Sequence, residues 1–152
     1  MSHSRVSSCS LIGTRPMRVE VETHVGAGLP GFQLVGLADT EVREARERVR
    51  CALLSCDLPF PHDRRITLNL APADLPKDSG RFDLPMALSL LVACGHVRPE
   101  ALAGHLFAGE LALDGELRPI RAALPMVLAC TSQKWTQTWV LPVASAQEAS
   151  LV

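Results

Sequence analysis

The chain has 152 residues, a formal net charge of −1 and 20% charged residues, which is the profile of a single globular domain. This charge gives no overall attraction to nucleic acid or anionic lipid, although it is compatible with a local basic patch. The five cysteines are irregularly spaced, without a C-x-x-C pair, which argues against a disulfide framework and a structural zinc site. The longest nearly apolar run, residues 84–94, is shorter than the roughly 18 residues that cross a bilayer. We expect a cytoplasmic protein without a signal peptide or membrane contact.

Alternating apolar and polar residues predict strands in the first quarter of the chain. Met17 to Val25 alternate with the period of a half-buried strand, and an earlier strand is expected near Arg5 to Leu11. Phe32 to Leu37 form the next apolar run. The glycine-rich turn at 26–31 between them predicts a hairpin of the second and third strands. Its G-x-G-x-x-G spacing matches a dinucleotide motif, but the helix start that this motif requires does not follow.

Two helices of different character are predicted next. Asp39 or Thr40 can cap an amphipathic helix whose narrow apolar stripe runs to Cys56. After a strand at 65–70, Asp83 is expected to cap a second helix that is apolar nearly all round. Such a helix is expected to be the central buried one.

The last third of the chain alternates short elements. Asp114-Gly115 is a strong two-residue hairpin signal between runs 106–113 and 116–120. A third helix is expected near Ala122, a short strand at 139–141, and a further helix near Ala144. The predicted fold class is therefore α/β of the α+β kind, a mixed sheet with helices packed on it.

A long polar loop between the strand at 65–70 and the second helix has the most specific pattern. Its Pro76-Lys77-Asp78 resembles the nucleophile loop of Lon-type serine proteases, P-K-D-G-P-S-A-G, with Arg81 at the position of the serine. The run 119–124 resembles the P-I-G-G-L stretch of those proteases and puts Leu124 at the position of the lysine. Serine–lysine hydrolysis needs both groups. The resemblance therefore implies a Lon-like fold, close to the second domain of certain ribosomal proteins, without peptidase chemistry.

Charged and nucleophilic residues elsewhere give weaker signals. The arginines that could line a phosphate-binding surface are Arg43, Arg46, Arg48, Arg50, Arg64 and Arg65. Glu41, Glu44 and Glu47 interleave with them, so ion pairing on a solvated helix face is the favoured interpretation. The aromatic content of 4% gives little support to base stacking. The histidines are scattered, which predicts no metal site, and the chain has no Walker phosphate loop.

Three long runs resemble one family closely. They are residues 31–50, 66–85 and 109–120, and the likeness extends from about Arg5 to Val152. These runs resemble the N-terminal domain of the ComM/YifB family of magnesium-chelatase-like AAA+ ATPases. In such proteins a Lon-like domain precedes a Walker-containing ATPase module. The family is associated with ring-forming helicases that promote branch migration of DNA during natural transformation.

The resemblance implies that residues 1–152 are one Lon-like N-terminal domain of a longer protein. It implies no cofactor for this chain, ATP and magnesium for the full-length protein, a homo-oligomeric ring, and DNA as a partner. The candidate residues for contact with DNA or a neighbouring subunit are Arg43, Arg46, Arg50, Lys77, Ser79 and Arg81. As an alternative, Asp74, Asp78 and Asp83 pair with Lys77 and Arg81 only to order the loop.

Three other functions stay open at this point. The first is a hydrolase that uses an unexpected dyad, Ser79 with Lys77. The second is a small-molecule kinase-like site in which Gly80 helps to hold a phosphate. The third is an ATPase domain like that of a magnesium chelatase subunit.

Overall fold

The computed structural model describes residues 2–36, 38–77 and 79–152. Alternating and apolar segments form eight strands and five helices in this part of the chain. The strands are β1 Ser2–Ile12, β2 Arg15–Gly26, β3 Gly31–Val35, β4 Arg65–Ala71, β5 His105–Phe107, β6 Glu110–Leu111, β7 Leu117–Arg118 and β8 Thr138–Val140. The helices are α1 Thr40–Ser55, α2 Asp83–Ala93, α3 Pro99–Leu102, α4 Ala123–Ser132 and α5 Val143–Ala149. The predicted α+β class with a mixed sheet is confirmed.

The main sheet has four strands in the order β1-β2-β4-β3. β1 and β2 form an antiparallel hairpin in which Ile12 pairs with Arg15, and β4 lies antiparallel to β2 on its other side. β3 pairs in parallel with β4, with Gly31 opposite Arg65. The predicted hairpin of the second and third strands is therefore wrong, because both edges of β2 are already paired. Parallel pairing of β3 and β4 requires a long crossover, which α1 supplies. Leu37, the end of the predicted third strand, lies outside the described residues.

Helix α1 begins where the sequence predicted and buries the predicted stripe as far as Leu53, whereas Cys56, the last predicted member, is exposed. The Asp39 carboxylate accepts a hydrogen bond from Val42 N at 2.8 Å, which satisfies one of the free amides of the first turn. Val42, Ala45 and Val49 are fully buried against the sheet. The opposite side of the helix is exposed and carries its charges, so α1 joins the core through one narrow face.

Helix α2 is the central buried helix, as predicted. It packs on β1, β2 and α1, and Met86 and Leu90 lie in the main core. Its one interior hydroxyl, Ser89, is hydrogen-bonded to Ser4 and Thr23 on the sheet, so the buried polar group is satisfied. Asp83 is the first helical residue, not the predicted cap. Its carboxylate instead accepts hydrogen bonds from outside the helix.

The last third of the chain forms a second layer with its own small core. β5 pairs in parallel with β8, and β6 pairs antiparallel with β7 across residues 112–116. The predicted hairpin is confirmed around Gly115, but its strands are much shorter. Run 106–113 is divided because Gly109 N donates to Arg81 O and Gly109 O accepts from Leu84 N. That segment therefore bonds to the start of α2 rather than to a neighbouring strand.

The described residues contain no helix that is both long and apolar enough to cross a membrane. The longest, α1, has 16 residues and a largely charged outer face.

Candidate functional site

Arg81 is the residue that the resemblance to the Lon-type nucleophile loop aligns with the serine. Its side chain is only 7% exposed. Its Nε donates to Ser79 Oγ at 3.0 Å, its Nη2 donates to Arg121 O at 2.9 Å, and its Nη1 lies 3.2 Å from Met126 Sδ. The guanidinium therefore links the loop to α4 and to the segment before it. Leu124, which the same resemblance aligns with the lysine, is half-buried in α4.

The space beside Arg81 is small. A cavity of about 70 Å³ lies there, lined mainly by Glu41, Ser79, Gly80 and Glu110. Pockets that hold drug-sized ligands are several hundred Å³ in volume. This cavity therefore has room for a few water molecules and not for a peptide segment or a nucleotide.

Lys77 is buried on the other side of the loop. It is 1% exposed, and its Nζ donates to Gly36 O at 2.9 Å and to Pro72 O. Burial lowers the pKa of its amine, and the negative charge of Asp74 opposes this effect. Lys77 O accepts from Asp39 N at 3.1 Å, so the same residue supports the start of α1. The amine thus ties the end of β3 to the loop after β4.

The Lys77 amine can be tested by substitution and pH. We expect Lys77→Met to lower the free energy of unfolding by about 1–3 kcal/mol, because the carbonyls of Gly36 and Pro72 lose a buried donor. Between the lowered folded-state pKa and the ordinary value of about 10.5, the unfolded chain keeps a proton that the folded chain has released. The advantage of the wild type over the variant should therefore increase as the pH rises through that range. Urea unfolding at neutral and alkaline pH measures this, and a constant difference would contradict it.

The loop has a different ion pair from those predicted. Asp83 is completely buried and accepts from Arg48 Nε at 2.7 Å and Nη2 at 3.1 Å. It also accepts from Leu111 N at 3.0 Å. The predicted pairing of Asp83 with Lys77 or Arg81 is therefore wrong, because Arg48 reaches it from α1. Burial raises the pKa of the Asp83 carboxyl, and the hydrogen bond to Asp83 raises the pKa of the Arg48 guanidinium.

These contacts change the interpretation of the loop candidates. Lys77 and Arg81 present no accessible cation, so their predicted contact with DNA or a neighbouring subunit is not supported by their burial. Ser79 accepts from Arg81, and Lys77 donates to main-chain carbonyls, so the described residues show no Ser79–Lys77 dyad. Asp78 lies outside the described residues. Asp74 is exposed, and its only described part in the loop is its charge near Lys77.

The helix candidates lie together on an open surface. A groove of about 720 Å³ separates the outer face of α1 from the loop before β4, and we call it the basic groove. Its charged lining residues are Arg43, Arg46, Arg50, Arg64, Glu44 and Glu47. The structure thus brings the three predicted arginines of α1 together with Arg64, which the sequence also indicated for a phosphate-binding surface. Arg48 turns away to Asp83, and Arg65 donates to Gln33 instead.

The groove arginines differ in their partners. Arg43 Nε donates to Ala38 O, and Arg46 donates to Arg43 O and to Phe32 O, each at 3.2 Å. Arg50 forms an ion pair with Glu47 at 2.7 Å, as predicted for a solvated helix face. Within residues 2–36, 38–77 and 79–152, no carboxylate lies within 4.0 Å of Arg43, Arg46 or Arg64. These three arginines therefore leave positive charge in the groove.

The floor of the groove is apolar. Phe32 on β3 and Phe60 before β4 are half-buried, with ring centroids 6.0 Å apart. Pro61 and Ile66 continue this floor. The pairing of these rings could not be predicted from the sequence, because 28 positions separate them and no pattern relates the two. The combination of cations at the rim and aromatic rings at the base suits a ligand with negative charges and flat apolar parts.

Metal binding finds no support in the described ranges. They contain no group of three or more histidine, cysteine, aspartate or glutamate side chains arranged to hold an ion.

Comparison with known proteins places the chain in a family. A family model described as subunit ChlI of Mg-chelatase matches residues 21–145. The chain is 43% identical over 152 residues to competence protein ComM of Haemophilus influenzae, covering 100% of the chain and 29% of that protein. It is 44% identical over 124 residues to the uncharacterized protein YifB of Escherichia coli, covering 82% of the chain and 24% of that protein. An uncharacterized protein of Mycobacterium bovis is 41% identical over 152 residues, which cover 100% of the chain and 30% of that protein.

The chain thus spans less than a third of the length of these relatives. The family model and these relatives agree on the family. The chain belongs to the magnesium-chelatase-like family that includes ComM and YifB.

Proposed function

We propose that this domain is a non-catalytic module of an ATP-driven, ring-forming motor, and that it handles DNA through the basic groove. The observation that carries the proposal is the set of arginines Arg43, Arg46 and Arg64 around an apolar floor. Guanidinium groups without a nearby carboxylate can contact phosphates at little cost in lost ion pairs. Arg50 joins them at the rim but shares its charge with Glu47.

The groove is better suited to a flexible single strand than to a closed duplex. Phosphates would lie along the rim, where Arg43 and Arg46 are held in place by main-chain carbonyls. An unpaired base can then reach Phe32 and Phe60 on the floor, whereas the bases of a duplex are stacked inside it. Although the chain has only four phenylalanines, two of them meet here. Low overall aromatic content therefore does not count against this particular surface.

The loop supports the non-catalytic part of the proposal. The Arg81 guanidinium stands where a serine nucleophile would be, and Leu124 stands where its lysine would be. The cavity beside Arg81 is too small for a peptide. Without a nucleophile, a base and room for substrate, the steps of acyl transfer have no groups to perform them.

Relatives such as ComM are much longer than this chain, so an activity of the whole protein would involve further domains. We propose that its remaining part binds ATP and magnesium, drives assembly of a homo-oligomeric ring in the cytoplasm, and acts on DNA during recombination. The name of the Haemophilus influenzae relative, competence protein ComM, supports a role in competence. This domain would then guide the strand that the motor moves, or help to hold adjacent subunits together.

The groove can be tested with charge-matched variants. We expect Arg43→Ala/Arg46→Ala/Arg64→Ala to weaken binding of a fluorescent oligothymidylate at least about tenfold. The slope of log affinity against log salt should also flatten by about 2, since each phosphate contact on a single strand contributes about 0.7. Fluorescence anisotropy over a series of salt concentrations measures both quantities.

The control removes the same charge from other surfaces. Arg15, Arg98 and Arg118 are exposed and lie outside the groove, so Arg15→Ala/Arg98→Ala/Arg118→Ala should keep most of the affinity and the slope. Equal losses of affinity in the two triple variants would show that only net charge matters, and would contradict binding in the groove. Labelling of Ser79 by a serine-directed covalent probe would contradict the non-catalytic part.

A further inference from the structure

Two buried thiols face each other in the second core. Cys9 on β1 and Cys130 on α4 are 121 positions apart, and their sulfurs are 3.8 Å from each other. Cys9 is 0% exposed and Cys130 is 3% exposed. Both belong to the small cluster that contains Ala108 and Met126. The fold, and not the sequence spacing, therefore creates this pair.

The surroundings distinguish the two sulfurs. The hydrogen bond from Cys130 lowers the pKa of the Cys9 thiol despite its burial, and the positive charges of Arg81 and Arg18 act in the same direction. The same hydrogen bond and burial raise the pKa of Cys130. Arg18 is itself held over the Trp135 ring at 4.8 Å. Cys9 is thus the sulfur better prepared to attack, and Cys130 lies within reach to complete a disulfide.

We propose that Cys9 and Cys130 form a reversible disulfide with each other when the protein meets a small disulfide oxidant such as oxidised glutathione. The Cys9 thiolate attacks one sulfur of the oxidant, forming a mixed disulfide and releasing one glutathione thiolate. Cys130 gives its proton to water or buffer and attacks the Cys9 sulfur, which releases the second glutathione thiolate. Two protein thiols are oxidised by two electrons, and one glutathione disulfide is reduced to two thiols.

The reaction needs a small movement and a brief opening. The sulfurs must approach to about 2 Å, the length of a disulfide bond. The oxidant reaches them when α4 separates transiently from β1, because the described second core has only four buried residues and a small cluster opens at low cost. The product ties the first strand of the main sheet to α4. It thereby fixes the second layer beside the Arg81 loop, and this inference does not depend on the proposed function.

Peptide mapping of the wild type is the direct test. We expect incubation with oxidised glutathione to consume two of the five thiols and to give one cross-linked peptide that joins Cys9 to Cys130. The product should remain a single chain, unfold at a higher temperature than the reduced form, and return to five thiols with excess reduced glutathione. Non-reducing mass spectrometry, a thiol count in denaturant and thermal unfolding measure these outcomes.

Cysteine variants separate this pair from the other thiols. Cys56→Ser is the matched control, because Cys56 is exposed at the end of α1, and it should oxidise as the wild type does. Cys9→Ser and Cys130→Ser should form no internal cross-link. An oxidised wild type in which Cys9 and Cys130 remain thiols, or in which either ends as a glutathione adduct or is joined to Cys51, Cys56 or Cys94, would overturn the proposal. The wild-type map decides the question even if a variant folds poorly.

Discussion

Replacing Arg48 by methionine should lower the free energy of unfolding by about 3–5 kcal/mol, the usual cost of leaving a buried charge without its partner. Asp83 is completely buried and takes two of its hydrogen bonds from Arg48. Methionine keeps the packing volume of the side chain but supplies no donor. The Leu111 N–H then remains as the one described donor to the carboxylate.

The loss should also depend on pH. Burial already raises the pKa of Asp83, and removal of the guanidinium raises it further. The folded variant therefore binds a proton more tightly than the unfolded chain, so the variant gains stability as the pH falls. Urea unfolding of the variant at neutral and mildly acidic pH measures this gain.

An exposed ion pair gives the matched control for Arg48. Arg50→Met breaks the pair with Glu47 on the same helix, and little change is expected because both charges stay in water. The double variant Arg48→Met/Asp83→Leu should recover much of the stability, since it removes both charges at once. If Arg48→Met and Arg50→Met had equal effects, the buried pair would have no special weight in the fold.

The second large effect is expected for Gly36→Ala. Gly36 has a φ of 107°, and an added Cβ would lie 2.3 Å from Leu70 O and 2.9 Å from Leu70 N. Both atoms belong to the backbone of β4 and cannot rotate away. We therefore expect a loss of about 3 kcal/mol or more, from backbone strain together with the forced separation of β3 and β4.

Another glycine separates the two causes. Gly13 also has a positive φ, of 63°, but nothing lies within 4 Å of a Cβ added there. Gly13→Ala should therefore cost only the backbone strain, about 1 kcal/mol. Thermal and urea unfolding of both variants compare the effects. A similar loss at the two positions would mean that the contact with Leu70 adds nothing.

Local sequence signals predicted the local structure well. The Asp39 cap, the continuous apolarity of α2 and the apolar stripe of α1 as far as Leu53 each depend on neighbouring residues, and each was confirmed. The order of the strands in the sheet was not predicted correctly. The glycines at 26–31 indicated a turn, but a turn does not state which strand the chain meets next. That choice depended on β4, which arrives about 30 residues later and occupies the free edge of β2.

In the candidate site, too, contacts between neighbouring residues could be predicted and contacts between distant residues could not. The clustering of Arg43, Arg46 and Arg50 follows from helical spacing and could be predicted. Arg48, from the same run, turns inward to bind the buried Asp83. This contact could not be predicted, because the two residues are 35 positions apart. Charge signs alone suggested that loop aspartates would pair with Lys77 and Arg81. Among the described contacts, Lys77 donates to two main-chain carbonyls and Arg81 donates to Ser79 and to Arg121 O. No sequence motif marks these acceptors.

The contacts of Arg81 also determine what a serine at this position could do. Its guanidinium contacts Ser79, the main chain of Arg121 and Met126. Arg81→Ser would remove these contacts without giving a working peptidase. Room for a substrate and a suitably placed basic amine would both still be lacking. At this position the guanidinium has a structural role, because it connects the loop to α4 and to the segment before that helix.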